Sequence, residues 1–118
     1  GSALVPFLQT CGYKVLCLVR HKNNLGENEI YWNPYAGEPD LSCAGKIDAV
    51  IKLNGLDISR GRWTQEHKQR IMDSRIIPTR MLVKAINRLQ HAPSVFISAS
   101  ATGYYGDAGN IALTEGSD

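Results

Sequence analysis

Three short polar segments each follow an apolar run: Arg20-His21-Lys22, Asn54-Gly55, and Ser98-Ala99-Ser100-Ala101-Thr102-Gly103. The first is the most informative chemically. In a dinucleotide-binding sheet the end of the second strand meets the adenosine ribose, where an acidic residue accepts from the 2′-hydroxyl and an arginine pairs with a 2′-phosphate. Here that place holds Arg20, and no Asp or Glu follows until Glu27. The pattern favours NADP over NAD, and a solvated basic turn accounts for it equally well. Ser98, Ser100 and Thr102 set hydroxyls at the end of another run. Such hydroxyls donate to a substrate oxygen, although a strand-to-loop turn also uses Ser and Thr without any ligand. Tyr104 and Tyr105 either line a pocket or simply pack. Arg60 and Arg62 flank Gly61 ahead of Trp63 and suit an anion or a plain helix entry.

The elements that must position these groups are legible in the apolar pattern. Leu4, Val5 and Leu8 share a helical face over Ala3 to Thr10, with Pro6 tolerable in the first turn and Gly12 as the stop. Val15 to Val19, Ala49 to Leu53 and Ser94 to Ile97 are short unbroken apolar runs, the pattern of strands buried on both faces. Ile30 to Trp32 suits a short strand closing an irregular hairpin, and Leu41 to Lys46 is open between loop and short helix. Thr64 suits an N-cap for a long helix whose apolar groups at Met72, Ile76, Thr79, Val83 and Ile86 form one stripe. Pro78 is expected to kink or split that helix, and Pro93 marks its exit. Strands alternating with helices predict an α/β fold with a parallel sheet and right-handed crossovers. In such a pattern an opening helix implies a strand before it.

Composition narrows the function classes. The chain has 118 residues, 13 basic and 11 acidic side chains, and 43% hydrophobic residues. The near-balanced charge gives no reason to expect nucleic acid or an anionic membrane as partner. No apolar run approaches the roughly 20 residues of a membrane span. Cys11, Cys17 and Cys43 are odd in number and form no C-x-x-C pair, which points to a reduced cytoplasmic setting. No metal-ligand spacing, hydrolase triad or complete Gly-rich phosphate loop is present.

Taken together, Gly1-Ser2-Ala3-Leu4-Val5-Pro6-Phe7-Leu8, Gly55 with Arg62-Trp63-Thr64, Lys68 with Ile71, Asp73-Ser74-Arg75, Thr79-Arg80, Leu82-Val83 to Ala85, Ser98-Ala99-Ser100-Ala101, Gly103-Tyr104-Tyr105-Gly106-Asp107 and Thr114-Glu115 resemble one bacterial group. This is the epimerase-like group of atypical short-chain dehydrogenase/reductases, within the NAD-dependent epimerase/dehydratase superfamily. The resemblance spans nearly the whole chain.

It implies a partial Rossmann-like, doubly wound parallel sheet with flanking helices, in which Gly1 is similar to the third glycine of the phosphate loop. On that reading the first strand and the other two glycines precede residue 1, and a C-terminal substrate-binding part follows residue 118. The resemblance further implies that Gly1, Arg20, Leu53, Gly55 and Ser98 bind the cofactor NADP. Ser100 takes the place of the hydroxyl that assists a catalytic tyrosine. Lys52 and Asn54 stand where the group more often shows His or Asn, then Ala. No tyrosine here has a lysine four residues on, so redox catalysis by residues 1–118 alone is not expected. The implied parent is an NADP(H)-dependent epimerase-like enzyme or oxidoreductase acting on a small molecule. The alternative is a non-catalytic cofactor-sensing or interaction protein, as the label of cell-division inhibitor given to some relatives suggests. The 118 residues alone are expected to bind NADP weakly or not at all, because the pyrophosphate lacks most of its amide cradle. An uncovered sheet edge offers a route to self-association.

Overall fold

A computed structural model describes residues 1–59, 61–100 and 106–117. Its elements run α1 (Leu4–Thr10), β1 (Cys17–Val19), β2 (Glu29–Tyr31), β3 (Ala49–Lys52), α2 (Gln65–Asn87) and β4 (Val95–Ser98). Arg60, Thr102, Tyr104 and Tyr105, all raised above as candidates, lie outside the described residues.

Helix α1 forms as the sequence predicts. Pro6 sits in the first turn, where backbone N–H groups have no intrahelical acceptor and a missing one costs little. Gly12 (φ +84°) then ends the helix: its N–H donates to the Gln9 carbonyl, and Tyr13 N–H reaches back to the Leu8 carbonyl. This paired closure needs the left-handed conformation that glycine adopts without strain.

The strands pair in parallel, as the alternating pattern requires. They form two sheets of two strands each among the described residues, β1 with β2 and β3 with β4. Val19 pairs with Tyr31, and Lys52 with Ser98, so each sheet has both of its carboxyl ends together. The expected hairpin at Ile30 is therefore corrected. Residues 20–28 carry the chain back along β1 without a helix, using Asn24 (φ 54°) and a turn in which Glu29 N–H donates to the Gly26 carbonyl. Glu29 then starts a strand parallel to its predecessor. Leu41 to Lys46 holds an isolated turn, closed by Ala44 N–H on the Leu41 carbonyl, rather than a helix.

Helix α2 runs unbroken through Pro78, and Thr64 caps it by accepting from His67 N–H at 3.1 Å. Its buried face differs from the expected one. Met72 is 52% exposed, and Ile76 and Val83 are each 38% exposed. The buried residues are Pro78, Leu82 and Ala85, with half-buried His67, Ile71, Ser74 and Leu89 extending the same stripe. That stripe is rotated by one position, about 100° around the axis. It was hidden because Pro78 reads as an interruption, whereas its apolar ring is a member of the inner face. Strand β4 also departs from expectation, being exposed at all four positions. The small core centres on Trp32, Leu82 and Ala85, and Trp32 Nε1 donates to the Gly37 carbonyl at 2.8 Å.

Candidate functional site

Arg20 leaves the carboxyl end of β1 exposed, with no hydrogen-bond or ionic partner among the described residues. Its two basic neighbours are occupied. His21 Nε2 lies 3.3 Å from Glu29 Oε2, and the Lys22 ammonium sits 4.8 Å from the centre of the Tyr31 ring. Glu29 is itself anchored by accepting from Gly26 N–H at 3.1 Å. The turn after β1 is thus tied to β2 through two side chains, and its third cation points free. This arrangement suits a phosphate contact, since an unpaired guanidinium keeps its fork of donors available.

At the carboxyl end of β3, Leu53 is 47% exposed and Gly55 lies in a turn held from above by α2. Ser74 Oγ accepts from Leu56 N–H at 2.9 Å and donates to the Ile71 carbonyl at 2.7 Å. Arg75 Nη2 donates to the Leu56 carbonyl at 3.2 Å, while Nη1 reaches the Ile71 carbonyl at 3.2 Å and Ser74 Oγ at 3.4 Å. A Cβ at Gly55 would stand 3.0 Å from the Arg75 guanidinium carbon. A side chain there would push the guanidinium off Leu56. Gly55 and Arg75 are therefore a matched pair. Residues Asp73-Ser74-Arg75 contribute to the family resemblance, yet their role as a clamp depends on an 18-residue separation that local pattern cannot reveal. Ser74→Ala removes the acceptor of a half-buried N–H and is expected to destabilise the fold by about 1–2 kcal/mol, read as a shifted urea midpoint at unchanged slope. An unchanged midpoint would show that the clamp contributes nothing.

Lys52, directly before this turn, is only 5% exposed. It shares a face of β3 with Val50 by strand alternation and stands in register with Ser98. Ala99 N–H donates to the Lys52 carbonyl at 3.0 Å, so the ladder continues past β4. Ser98 and Ser100 are both exposed, with hydroxyls unengaged among the described residues. Gly1 lies open ahead of α1, and its carbonyl accepts from Leu4 and Val5 N–H. The structure thus gathers Leu53, Gly55, Ser98 and Lys52 at the end of one sheet and places Arg20 at the end of the other. A groove of about 410 Å³ elsewhere, lined by residues including Leu41, Lys46, Arg88 and His91, includes none of the candidate residues.

A sequence model of the NAD dependent epimerase/dehydratase family matches residues 1–118. The chain belongs to that family. It is 37% identical over 115 residues to an epimerase family protein of Mycobacterium leprae (strain TN), covering 98% of this chain and 36% of the relative. An epimerase family protein of Staphylococcus haemolyticus (strain JCSC1435) is 34% identical over 105 residues, covering 89% and 35% respectively. The crystal structure of human epimerase family protein SDR39U1 (isoform 2) with NADPH has the same fold over 89% of this chain and 34% of its own. The TM-score is 0.71 and the sequence identity 27%. The chain therefore has the Rossmann-like α/β fold and spans about a third of the length of the relatives it matches. Among the described residues no helix is long and apolar enough to cross a membrane, and no group of three or more His, Cys, Asp or Glu could hold a metal ion.

Proposed function

We propose that residues 1–118 are the cofactor-binding portion of a longer cytoplasmic, NADP(H)-binding, epimerase-like protein of the atypical short-chain dehydrogenase/reductase group. The observation that carries this reading is Arg20. It is the cation of its turn that has no partner among the described residues, at the strand end where the adenosine ribose lies in a doubly wound fold. Its two basic neighbours are engaged on β2, so the donor set fits one 2′-phosphate held by one guanidinium. The human relative solved with NADPH supports the same reading.

Within this proposal Leu53 and Gly55 line the cofactor, Ser98 borders it, and Ser100 donates to a substrate oxygen. When bound, the dinucleotide would supply hydride chemistry, and these side chains would bind and orient it. The domain organisation follows the same logic. In a doubly wound sheet ordered 3-2-1-4-5, the first strand separates the second and third from the fourth and fifth. The two parallel pairs here have that relation if a strand and the rest of the glycine loop precede Gly1. A substrate-binding part would then follow Asp118.

Titration of the full-length protein with NADPH and NADH, followed by nicotinamide fluorescence, is expected to show tighter binding of NADPH. Equal affinities would remove Arg20 as a phosphate ligand.

A further inference from the structure

We infer that Lys52 and Arg75 form an oxyanion-binding subsite at the carboxyl end of β3, which takes a phosphate or carboxylate group. The first observation is an incomplete balance of charge. Lys52 is 5% exposed, and neither it nor Arg75 forms an ion pair among the described residues. Three acidic groups are engaged elsewhere: Glu29 by His21, Asp48 by Lys46, and Glu38 by Arg88. Buried cations in proteins are paired, because removing a charge from water is strongly unfavourable unless a counter-charge replaces it. Here the charge that acts on Lys52 is a second cation, Arg75, which worsens the imbalance. Burial, then the like charge of Arg75, holds the Lys52 pKa below the ordinary lysine range. No carboxylate contributes to offset them.

The second observation is the architecture around the two cations. Arg75 commits three N–H bonds, to Leu56, Ile71 and Ser74, which leaves two of its five donors available. Gly55 lets the guanidinium lie under the turn, where any Cβ would crowd it at 3.0 Å. Ser98, in register with Lys52 on the neighbouring strand, adds a hydroxyl on the same face. Lys52 and Ser98 end their strands, Gly55 follows β3, and Arg75 reaches the same place from α2, at the edge where open α/β sheets receive ligands. An oxyanion there would neutralise both cations and use the uncommitted donors.

The subsite goes beyond the NADP(H) reading and does not depend on it. Its anion has two sources: the diphosphate of a dinucleotide, or an acidic group on the substrate. Inorganic phosphate serves as the probe on the full-length protein, with lysine side-chain NMR reporting Lys52. Phosphate is expected to shift the Lys52 signal saturably. Lys52→Met should abolish phosphate binding measured by calorimetry without lowering the melting temperature, since it removes a desolvated cation. Arg75→Gln should weaken phosphate binding at least about tenfold. A response that survives saturating NADPH assigns the subsite to the substrate, whereas one that NADPH abolishes assigns it to the cofactor. Absence of any saturable Lys52 shift with phosphate or NADPH overturns the proposal, and so does undiminished phosphate binding by Lys52→Met. Equal NADPH and NADH affinities with the phosphate response of Lys52 intact would overturn the Arg20 reading alone, whereas NADPH preference with no Lys52 response would overturn this one alone.

Discussion

Arg20→Glu is expected to weaken NADPH binding by about 100-fold while leaving NADH binding unchanged or tighter. A bidentate arginine–phosphate contact contributes about 1.5–3 kcal/mol, and reversal of the charge adds repulsion to its loss. The new carboxylate also accepts from the 2′-hydroxyl of NADH, the arrangement found in NAD-selective folds. The fold itself should be indifferent. Arg20 is exposed and has no partner among the described residues, so the melting temperature should not move. Lys22→Gln provides the contrast. Its ammonium rests over the Tyr31 ring, and its loss should change the NADPH-to-NADH ratio little. Parallel losses for both nucleotides in Arg20→Glu would show that the guanidinium does not read the phosphate.

Gly61→Ala should have the largest effect on stability, about 2–3 kcal/mol or roughly a 10 °C fall in melting temperature. Two features act together. Gly61 has φ +106°, a backbone conformation that L side chains rarely adopt, and an added Cβ would lie 2.8 Å from His67 Cε1. The ring cannot easily yield. His67 lies in the first turn of α2 with its backbone N–H donating to Thr64 Oγ1, and its ring makes a T-shaped contact with the Trp63 ring at 6.4 Å between centroids. The two contributions separate in a double-mutant cycle with His67→Ala, which removes the clash and leaves the backbone strain. His67 Nε2 is buried with no hydrogen-bond partner among the described residues, so His67→Ala alone should be close to neutral. A Gly61→Ala protein that melts with the wild type would contradict this account.

Local rules made α1, its Gly12 stop, the Thr64 cap and the parallel pairing readable from sequence. Each depends on residues within a few positions, or on the simple alternation of strand and helix. The position of Arg20 at a strand end was legible for the same reason, because it stands just after an apolar run. What sequence could not show was which basic residue in the turn remains free, since that depends on Glu29 and Tyr31 across the sheet. The inner face of α2 was misread because apolar residues occur on both sides of it and Pro78 seemed an unlikely core member by propensity alone. The Ser74–Arg75 clamp and the burial of Lys52 are tertiary facts. At Lys52 the local rule would place a lysine in water, and the packing of the chain overrides it.

The placement of the tryptophans has an optical consequence. The chain has two of them. Trp32 is buried and hydrogen-bonded to Gly37, whereas Trp63 is 64% exposed and lies edge-on to His67 beside Gly61. One indole therefore emits from a shielded environment and the other from water, beside the imidazole of His67. The molecule carries separate optical reporters for its packed interior and for the entrance to α2, with no label added.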